Sequence, residues 1–211
     1  MPSLQLYYIT DRSQIKARPL DSCVAATIAA GVDWVQIREK DLAARRLLAL
    51  TQAALRWARP QGRTRVIVND RLDVALAAKA HGVHLGTRSI GAGWARRLAP
   101  GGFIVGVSCH SLEEALNAEA AGADYILLGP IFATPSKLQY GPPLGLDKLR
   151  EIASQISTPV FALGGITIES AALCLKNGAA GIAGIRIFQD CDSVEETVRA
   201  LRATTDHRES F

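Results

Sequence analysis

The chain contains 211 residues, of which 48% are hydrophobic, and its formal net charge is +4, so it suits one globular domain with a complete core. The basic residues are dispersed and are not interleaved with aromatic residues, which disfavours a nucleic-acid partner. No apolar run reaches the roughly 18–20 residues that cross a bilayer, and four scattered cysteines without a CxxC pair favour reduced thiols in a cytoplasmic protein.

Short apolar runs alternate with longer helical patterns, which is typical of repeated βα units around a parallel sheet. The predicted strands are residues 4–10, 32–38, 65–68, 82–85, 104–108, 125–128, 160–163 and 182–187. The first predicted helix ends near residue 30. The others cover residues 42–58, 72–80, 94–98, 112–121, 145–156, 168–176 and 194–203. Eight units predict an α/β fold, a single-domain (β/α)8 TIM barrel over residues 1–203, with a flexible tail at 204–211. The alternative is an open doubly wound sheet, but no GxGxxG follows the first strand.

A glycine stands at or shortly before the start of four of the predicted strands, at Gly31, Gly82, Gly122 and Gly178. Because glycine accepts a positive φ without a Cβ clash, these residues are predicted to end the preceding helices.

The carboxyl ends of barrel strands meet on one rim, so the polar residues that end these strands are the candidate site. Gln36, Arg38 and Lys40 alternate at period two and are expected to point towards the barrel mouth. Two cations and an amide donor suit a polyanion such as a pyrophosphate. A rim salt bridge with Glu39 or Asp41 is the alternative.

Asn69 and Asp70 follow the third strand directly. A carboxylate opposite a bound phosphate predicts a Mg²⁺ ion between the two, because Mg²⁺ takes one or two carboxylates together with substrate phosphate oxygens. An Asp that caps the helix beginning at Arg71 is the alternative, and the two roles are compatible.

Ser108, Cys109 and His110 end the fifth strand. Adjacent strand residues point in opposite directions and no Gly-x-Ser-x-Gly motif is present, which disfavours a covalent nucleophile. We expect Ser108 to form a hydrogen bond with a ligand, and His110 to transfer a proton or to cap a helix.

The loop after the sixth strand carries Thr134, Ser136 and Lys137, and its length favours a functional loop over a mere connection. The seventh strand ends at Gly164–Gly165, and Ile185–Arg186 lies near the end of the eighth. Barrels often bind phosphate through backbone N–H groups at these two places, so a second phosphate site is predicted.

Taken together, these residues resemble the thiamine phosphate synthase and thiazole tautomerase superfamily from about residue 7 to 188. The segments that carry the resemblance are Tyr8–Asp11, Gln36–Lys40, Asn69–Asp73, Gly82–Gly86, Gly106–His110, Gly122–Tyr125, Gly129–Lys137 and Gly164–Ile166. The synthase branch implies that hydroxymethylpyrimidine pyrophosphate is coupled to thiazole phosphate, with formation of thiamine phosphate and release of pyrophosphate.

The resemblance also implies roles for individual residues. Those that would hold the pyrimidine pyrophosphate are Gln36, Arg38, Lys40, Asn69 and Lys137, with Mg²⁺ on Asp70 and the pyrimidine ring on Ser108. Those that would hold the thiazole phosphate are Thr134, Ser136, Gly165 and the backbone at Ile185. Gly164 and Arg186 are added as substrate-binding candidates from their place at the ends of the seventh and eighth strands. The residues expected to act in the chemistry are Arg38, Ser108, His110 and Lys137.

Two positions depart from the family pattern. Ser89 stands where the synthases usually carry a second metal-binding Asp, and Arg186 stands where the family has a Ser. The tautomerase branch shares a His at position 110 but lacks the full Gln-x-Arg-x-Lys and Asn-Asp set, which favours the synthase. A thiazole tautomerase and a non-catalytic ligand-binding relative are the alternatives, and association into a homo-oligomer stays open.

Overall fold

A computed structural model describes residues 4–15, 18–60, 62–134 and 142–206. Eight parallel strands form a closed barrel in sequence order, and the first strand pairs with the last. The strands are β1 (Gln5–Ile9), β2 (Trp34–Ile37), β3 (Arg65–Asn69), β4 (Gly82–Leu85), β5 (Ile104–Cys109), β6 (Tyr125–Leu128), β7 (Val160–Leu163) and β8 (Gly181–Gly184). The predicted single-domain (β/α)8 barrel is thereby confirmed.

The helices surround the barrel. They are α1 (Leu20–Ala29), α2 (Ala44–Ala58), α3 (Leu72–Ala78), α4 (Ala92–Leu98), α5 (Leu112–Ala120), α6 (Gly145–Gln155), α7 (Ile168–Lys176), α8 (Arg186–Gln189) and α9 (Val194–Asp206). Within the described ranges, none of these helices has both the length and the apolar character needed to cross a membrane. Residues 204–206, predicted as part of the tail, belong to α9, and residues 207–211 lie outside the described ranges.

The end of the eighth strand differs from the sequence prediction. β8 stops at Gly184, and residues 186–189 form the short helix α8 instead of continuing the strand to residue 187. Phe188, within this apolar run, is buried from the helix α8. A short apolar run has no periodicity that separates these two structures.

Gly31, Gly122 and Gly178 follow helices with φ of 92°, 81° and 91°, as predicted. Gly82 does not have this role, because it lies within β4 and a Cβ there would stand 2.2 Å from the Ile104 carbonyl oxygen. Lys79 ends α3 instead, in the left-handed conformation with φ of 57°. Gly82 is therefore required by close strand packing and not by a helix end.

The core has two layers, one between the strands and the helices and one inside the barrel. The inner layer contains Tyr7, Ile9, Tyr125, Leu127, Phe161 and Ala183. Successive strand residues alternate between these layers, so each strand sends every second side chain into the barrel. Gly106 makes room for one of the inner rings, because a Cβ at this position would stand 1.9 Å from Tyr125 Cζ.

Candidate active site

Two polar side chains lie side by side where β2 and β3 end. Gln36 Nε2 donates to Asn69 Oδ1 over 2.9 Å, and Gln36 is only 1% exposed. Among the described residues, Gln36 Oε1 is the one buried side-chain oxygen or nitrogen without a hydrogen-bond partner. One N–H of the amide donor that we assigned to an anion is thus already used within the protein. The unpartnered Oε1 of Gln36 is a hydrogen-bond acceptor. It therefore suits an N–H or O–H donor on a ligand better than it suits a phosphate oxygen, which is itself an acceptor.

Arg38 lies at the same rim and is paired with a carboxylate from the loop after β1. Arg38 Nη1 lies 3.3 Å from Asp11 Oδ2, and the Arg38 backbone N–H donates to Thr10 Oγ1 over 2.8 Å. Partial burial alone would raise the pKa of Asp11, but hydrogen bonds from the next loop residues and the charge of Arg38 outweigh it and lower the pKa. Asp11 is therefore ionised near neutral pH and keeps Arg38 at the barrel mouth.

The alternative prediction was that the cations of the Gln36–Lys40 segment form a rim salt bridge with Glu39 or Asp41. For Arg38 this alternative is wrong. Glu39 and Asp41 instead bind Arg12, at 3.4 Å and 2.5 Å respectively. Glu39 is buried beneath the loop after β1, because it alternates with the mouth-facing residues and points the other way. Lys40 is exposed at the end of the segment.

Gln189 fixes the loop after β1 from the opposite end of the chain. Its Oε1 accepts from the Tyr8 hydroxyl over 3.0 Å and from the Asp11 N–H over 2.9 Å, and its Nε2 donates to the Asp11 carbonyl over 3.0 Å. Neither Asp11 nor Gln189 was predicted as a support of Arg38. Asp11 stood within the Tyr8–Asp11 segment of the family resemblance, whereas no pattern singled out Gln189.

Asp70 has an unusual backbone for a residue other than glycine, with φ of 64°. Its N–H donates to the His84 carbonyl over 2.8 Å, and its side chain is exposed at the rim. The N-cap of α3 is Arg71, which makes no side-chain capping hydrogen bond. The helix-cap alternative for Asp70 is therefore wrong, and its carboxylate is free to meet a ligand.

Ser89 follows β4 and is used to shape its turn. Its Oγ accepts from the Gly86 N–H over 2.8 Å. Across the part of the chain that the structure describes, no group of three or more His, Cys, Asp or Glu side chains is arranged to hold a metal ion. Asp70 is thus the carboxylate on which the predicted magnesium site depends.

Ser108 meets a histidine that we had not predicted. Its Oγ lies 2.8 Å from Nε2 of His84 on β4, and the other ring nitrogen of His84 lies 3.1 Å from the Tyr125 hydroxyl. Burial, helped by the charge of Arg38, lowers the pKa of His84 to about 3, so the ring is neutral. The alternation in β4 could have revealed His84, because its two apolar neighbours point outwards and His84 must then point into the barrel.

Cys109 and His110 serve the scaffold in this structure. Cys109 is buried, which raises the pKa of its thiol to about 12 and keeps it protonated. The ring Nδ1–H of His110 donates to the Gly129 carbonyl, and the His110 N–H donates to Glu114 Oε2 over 2.6 Å. The histidine that meets Ser108 is therefore His84 on β4 and not the neighbouring His110.

The loops after β6 and β7 lie against each other. The Ile131 N–H donates to the Leu163 carbonyl over 2.8 Å, and the Phe132 N–H donates to the Gly164 carbonyl over 3.0 Å. Gly165 has φ of 65°, and a Cβ there would stand 2.7 Å from the Ala133 carbonyl oxygen, so only glycine allows this approach.

The remaining candidates for the second phosphate site fall at the ends of these segments. Thr134 is half-buried in the loop after β6, whereas Ser136 and Lys137 lie outside the described residues. Ile185 immediately precedes α8, and Arg186 is its exposed first residue. The phosphate site itself stays a prediction.

The parallel barrel and the polar groups on its carboxyl-terminal rim define a (β/α)8-barrel protein whose candidate small-molecule site lies at that rim. The family model described as thiamine monophosphate synthase matches residues 6–188. This chain belongs to that family.

Individual relatives agree with the family match. The thiamine-phosphate synthase of Roseiflexus sp. (strain RS-1) is 43% identical over 198 residues, covering 94% of this chain and 84% of its own. That of Methanoculleus marisnigri is 42% identical and covers 93% of each chain. The solved thiamine phosphate pyrophosphorylase of Pyrococcus furiosus has a TM-score of 0.87 at 34% identity and covers 98% of this chain and 97% of its own. The predicted synthase-type transferase is thereby confirmed.

Proposed function

We propose that this chain couples hydroxymethylpyrimidine pyrophosphate to thiazole phosphate, giving thiamine phosphate and pyrophosphate. The observation that carries the proposal is the buried, unpartnered Oε1 of Gln36 at the same barrel mouth as the ion-paired Arg38. An acceptor and a cation at one mouth suit a small ring that carries both an amino group and a pyrophosphate. Membership of the thiamine monophosphate synthase family supports the same substrate class.

The departing pyrophosphate is the group whose charge must be stabilised. Arg38 donates to its oxygens, and Lys40, Asn69 and Lys137 complete the set that the resemblance implies. Because Asp11 already holds Arg38 at the mouth, little conformational entropy is lost in positioning that cation when the substrate reacts.

The residues at the end of β3 fit the Mg²⁺ ion that the family implies. The Asp70 carboxylate is exposed, caps no helix and sits on a backbone held in the left-handed conformation. One carboxylate together with substrate phosphate oxygens is a usual protein environment for Mg²⁺. When bound, the ion neutralises charge on the leaving group. Asp70 holds it, while Ser89 offers a hydroxyl in place of a second carboxylate.

The thiazole phosphate is assigned to the rim between β6 and β8. The backbone at Gly164, Gly165 and Ile185 and the Thr134 hydroxyl supply the donors, together with Ser136 and Arg186. The contact between the loops after β6 and β7 supports this assignment, because it brings two of these segments together.

The reaction then needs positioning more than acid–base chemistry. The bond between the pyrimidine methylene carbon and the pyrophosphate oxygen breaks, and its electron pair leaves with the pyrophosphate. The thiazole nitrogen donates its lone pair to the resulting cation and forms the new C–N bond. Gln36 and Ser108 hold the pyrimidine ring so that the two reacting centres face each other.

The tautomerase alternative assigned proton transfer to His110. The structure uses the Nδ1–H and the backbone N–H of this residue to hold the loop after β6 and the start of α5. No described contact of His110 favours a proton carrier there. The cytoplasmic location and the absence of a nucleic-acid partner stay predictions from the composition, and association into a homo-oligomer stays open.

The test is an assay of the purified protein with both substrates and Mg²⁺ that follows pyrophosphate release. We expect turnover, and we expect Asp70→Asn to lose most of it at limiting Mg²⁺. Asp73→Asn is the matched control, because Asp73 lies on the same segment but is paired with Arg71 at the surface. Its activity is expected to stay within about twofold of the parent.

Two results would contradict the proposal. Isomerisation of a thiazole carboxylate phosphate without pyrophosphate release would favour the tautomerase. Binding of the pyrimidine pyrophosphate without turnover at any Mg²⁺ concentration would favour the non-catalytic relative, for which the loss of the second Asp at Ser89 would be the first explanation.

A further inference from the structure

A line of four polar side chains runs from the middle of the barrel to its mouth, and we call it the polar chain. Its members are Tyr7 on β1, Tyr125 on β6, His84 on β4 and Ser108 on β5. The Tyr7 and Tyr125 hydroxyls lie 2.6 Å apart, Tyr125 lies 3.1 Å from His84 Nδ1, and His84 Nε2 lies 2.8 Å from Ser108 Oγ. The first three side chains are buried, so the polar chain reaches a ligand only through Ser108.

The hydrogen bonds of the polar chain have two conceivable directions. A neutral imidazole has one donor and one acceptor nitrogen, and each hydroxyl has one proton. His84 is neutral because it is buried and has only hydroxyl partners on its ring. All donors therefore point either from Tyr7 towards Ser108 or from Ser108 towards Tyr7.

Only one direction satisfies every proton. Towards Ser108, Tyr7 donates to Tyr125, Tyr125 donates to His84 Nδ1, and His84 Nε2–H donates to Ser108 Oγ. In the opposite direction the Tyr7 proton would need an acceptor, and no second hydrogen-bond partner for this hydroxyl exists within the described residues. The Tyr7 ring is packed against Trp34 and Phe161, and Tyr7 is 0% exposed, so its hydroxyl is not open to bulk solvent as an alternative acceptor. A buried donor without a partner is costly, which leaves the first direction.

We propose that the polar chain holds His84 as its Nε2–H tautomer and thereby makes Ser108 a hydrogen-bond donor towards the barrel mouth. His84 and Tyr125 are then positioning residues that act through Ser108. Because a lone pair of Ser108 accepts from His84, its own proton is left for the ligand. The mouth therefore selects a ring with an unprotonated nitrogen at this place over one with an N–H or a C–H group there.

The identity of that ring rests on the proposed function, where it is the pyrimidine. The direction of the polar chain rests only on the contacts above. The first measurement therefore uses no substrate. Its result tests the direction of the polar chain whether or not the proposed function is right.

The test is a nitrogen-15 spectrum of the histidine-labelled full chain near neutral pH, in which protonated and unprotonated ring nitrogens are resolved. We expect His84 to show a protonated Nε2 and an unprotonated Nδ1. Tyr125→Phe removes the hydroxyl that donates to Nδ1, so the Nδ1 shift should move while Nε2 stays protonated, because an Nδ1–H would then be a buried donor without a partner. Tyr7→Phe is the matched control, because Tyr125 still donates to His84, and the parent tautomer should persist.

A protonated Nδ1 in the parent protein would overturn the proposal, and so would a Tyr125→Phe spectrum identical to that of the parent. The parent spectrum decides the matter even if a variant fails to fold.

In the coupling assay we expect Tyr125→Phe to raise KM for the pyrimidine substrate roughly three- to tenfold while kcat changes less. An equal fall in kcat and kcat/KM with unchanged KM would contradict the role in ring recognition.

Discussion

The positive charge at the barrel mouth depends on how individual side chains are paired. The Arg38–Asp11 pair is largely covered, with 26% and 19% of the two side chains exposed, whereas the Arg71–Asp73 pair is 39% and 64% exposed. Coulomb interactions are screened less as water is removed, so the first pair keeps more of its strength. Arg38 is therefore held ready for an anion, and Arg71 belongs to a solvated surface pair.

Replacing Arg38 by Ala is expected to remove about 2–5 kcal/mol of transition-state stabilisation, because the departing pyrophosphate loses a charged donor. The measurement is kcat/KM for pyrophosphate release, with kcat reported separately. Arg45→Ala, an exposed position on α2, serves as the control and should leave kcat/KM unchanged. A rise in KM with kcat intact would show that Arg38 only binds substrate.

Ser89 is the position at which the family resemblance implies a second metal-binding Asp. Ser89→Asp is expected to strengthen Mg²⁺ binding and lower the Mg²⁺ concentration for half-maximal rate, because a carboxylate can accept from Gly86 and still offer an oxygen to the ion. Ser89→Asn is the control, because Asn has nearly the same size as Asp but no charge. This variant should not lower the Mg²⁺ concentration for half-maximal rate. If both variants behave alike, or if Arg88 captures the new carboxylate and nothing improves, Ser89 lies outside the metal site.

At the scale of elements, the barrel interior depends on which strands leave room for their neighbours. β5 carries glycine at position 106, and the ring of Tyr125 from β6 occupies the space that a side chain there would take. The hydroxyl of the same Tyr125 side chain links Tyr7 to His84. Tyr125 therefore takes part both in the packing of β5 against β6 and in the polar chain. A change in β5 should therefore disturb both.

Gly106→Ala is expected to lower the free energy of unfolding by about 1–3 kcal/mol or more, because its Cβ would stand 1.9 Å from Tyr125 Cζ in a fully buried place. Urea unfolding measures the change. Gly93→Ala is the control, since no atom lies within 4 Å of its Cβ, and in α4 it should stabilise by about 0.5–1 kcal/mol. A Gly106→Ala protein as stable as the parent would mean that the Tyr125 ring moves freely.

At the scale of the whole molecule, α9 ties the last part of the chain to the first two strands. Arg202 Nη2 lies 2.7 Å from Asp33 Oδ2, and the same guanidinium donates to the Leu4 and Gly31 carbonyls. Asp33 in turn accepts from the Leu6 N–H over 2.7 Å. These contacts hold the amino-terminal end of the barrel, opposite the candidate site.

Arg202→Met should lower the free energy of unfolding by about 2–3 kcal/mol, because Asp33 and two carbonyls lose a partly buried donor. Arg199→Met, an exposed change on the same helix, should stay within about 0.5 kcal/mol. Both values come from urea unfolding. Since the contact lies away from the rim, kcat of folded Arg202→Met should match that of the parent, and a large fall would contradict this separation of stability from activity.

The sequence by itself determined the eight βα units, the barrel class and the rim segments that carry the family resemblance. These features follow from local periodicity, since period-two and helical patterns each depend on residues only a few positions apart. Gln36, Arg38, Asn69, Asp70 and Ser108 could be placed at one rim for the same reason, because parallel strands end on one side.

Only the tertiary structure decided which side chains meet. The pairs Arg38 with Asp11 and His84 with Ser108, the unpartnered Oε1 of Gln36 and the helix at residues 186–189 were not predictable from the pattern. Each depends on strand stagger and barrel closure, which bring together residues that are far apart in the chain or turn a short apolar run into a helix. A hydrogen-bond partner is chosen by that three-dimensional proximity, and no local period in the sequence encodes it.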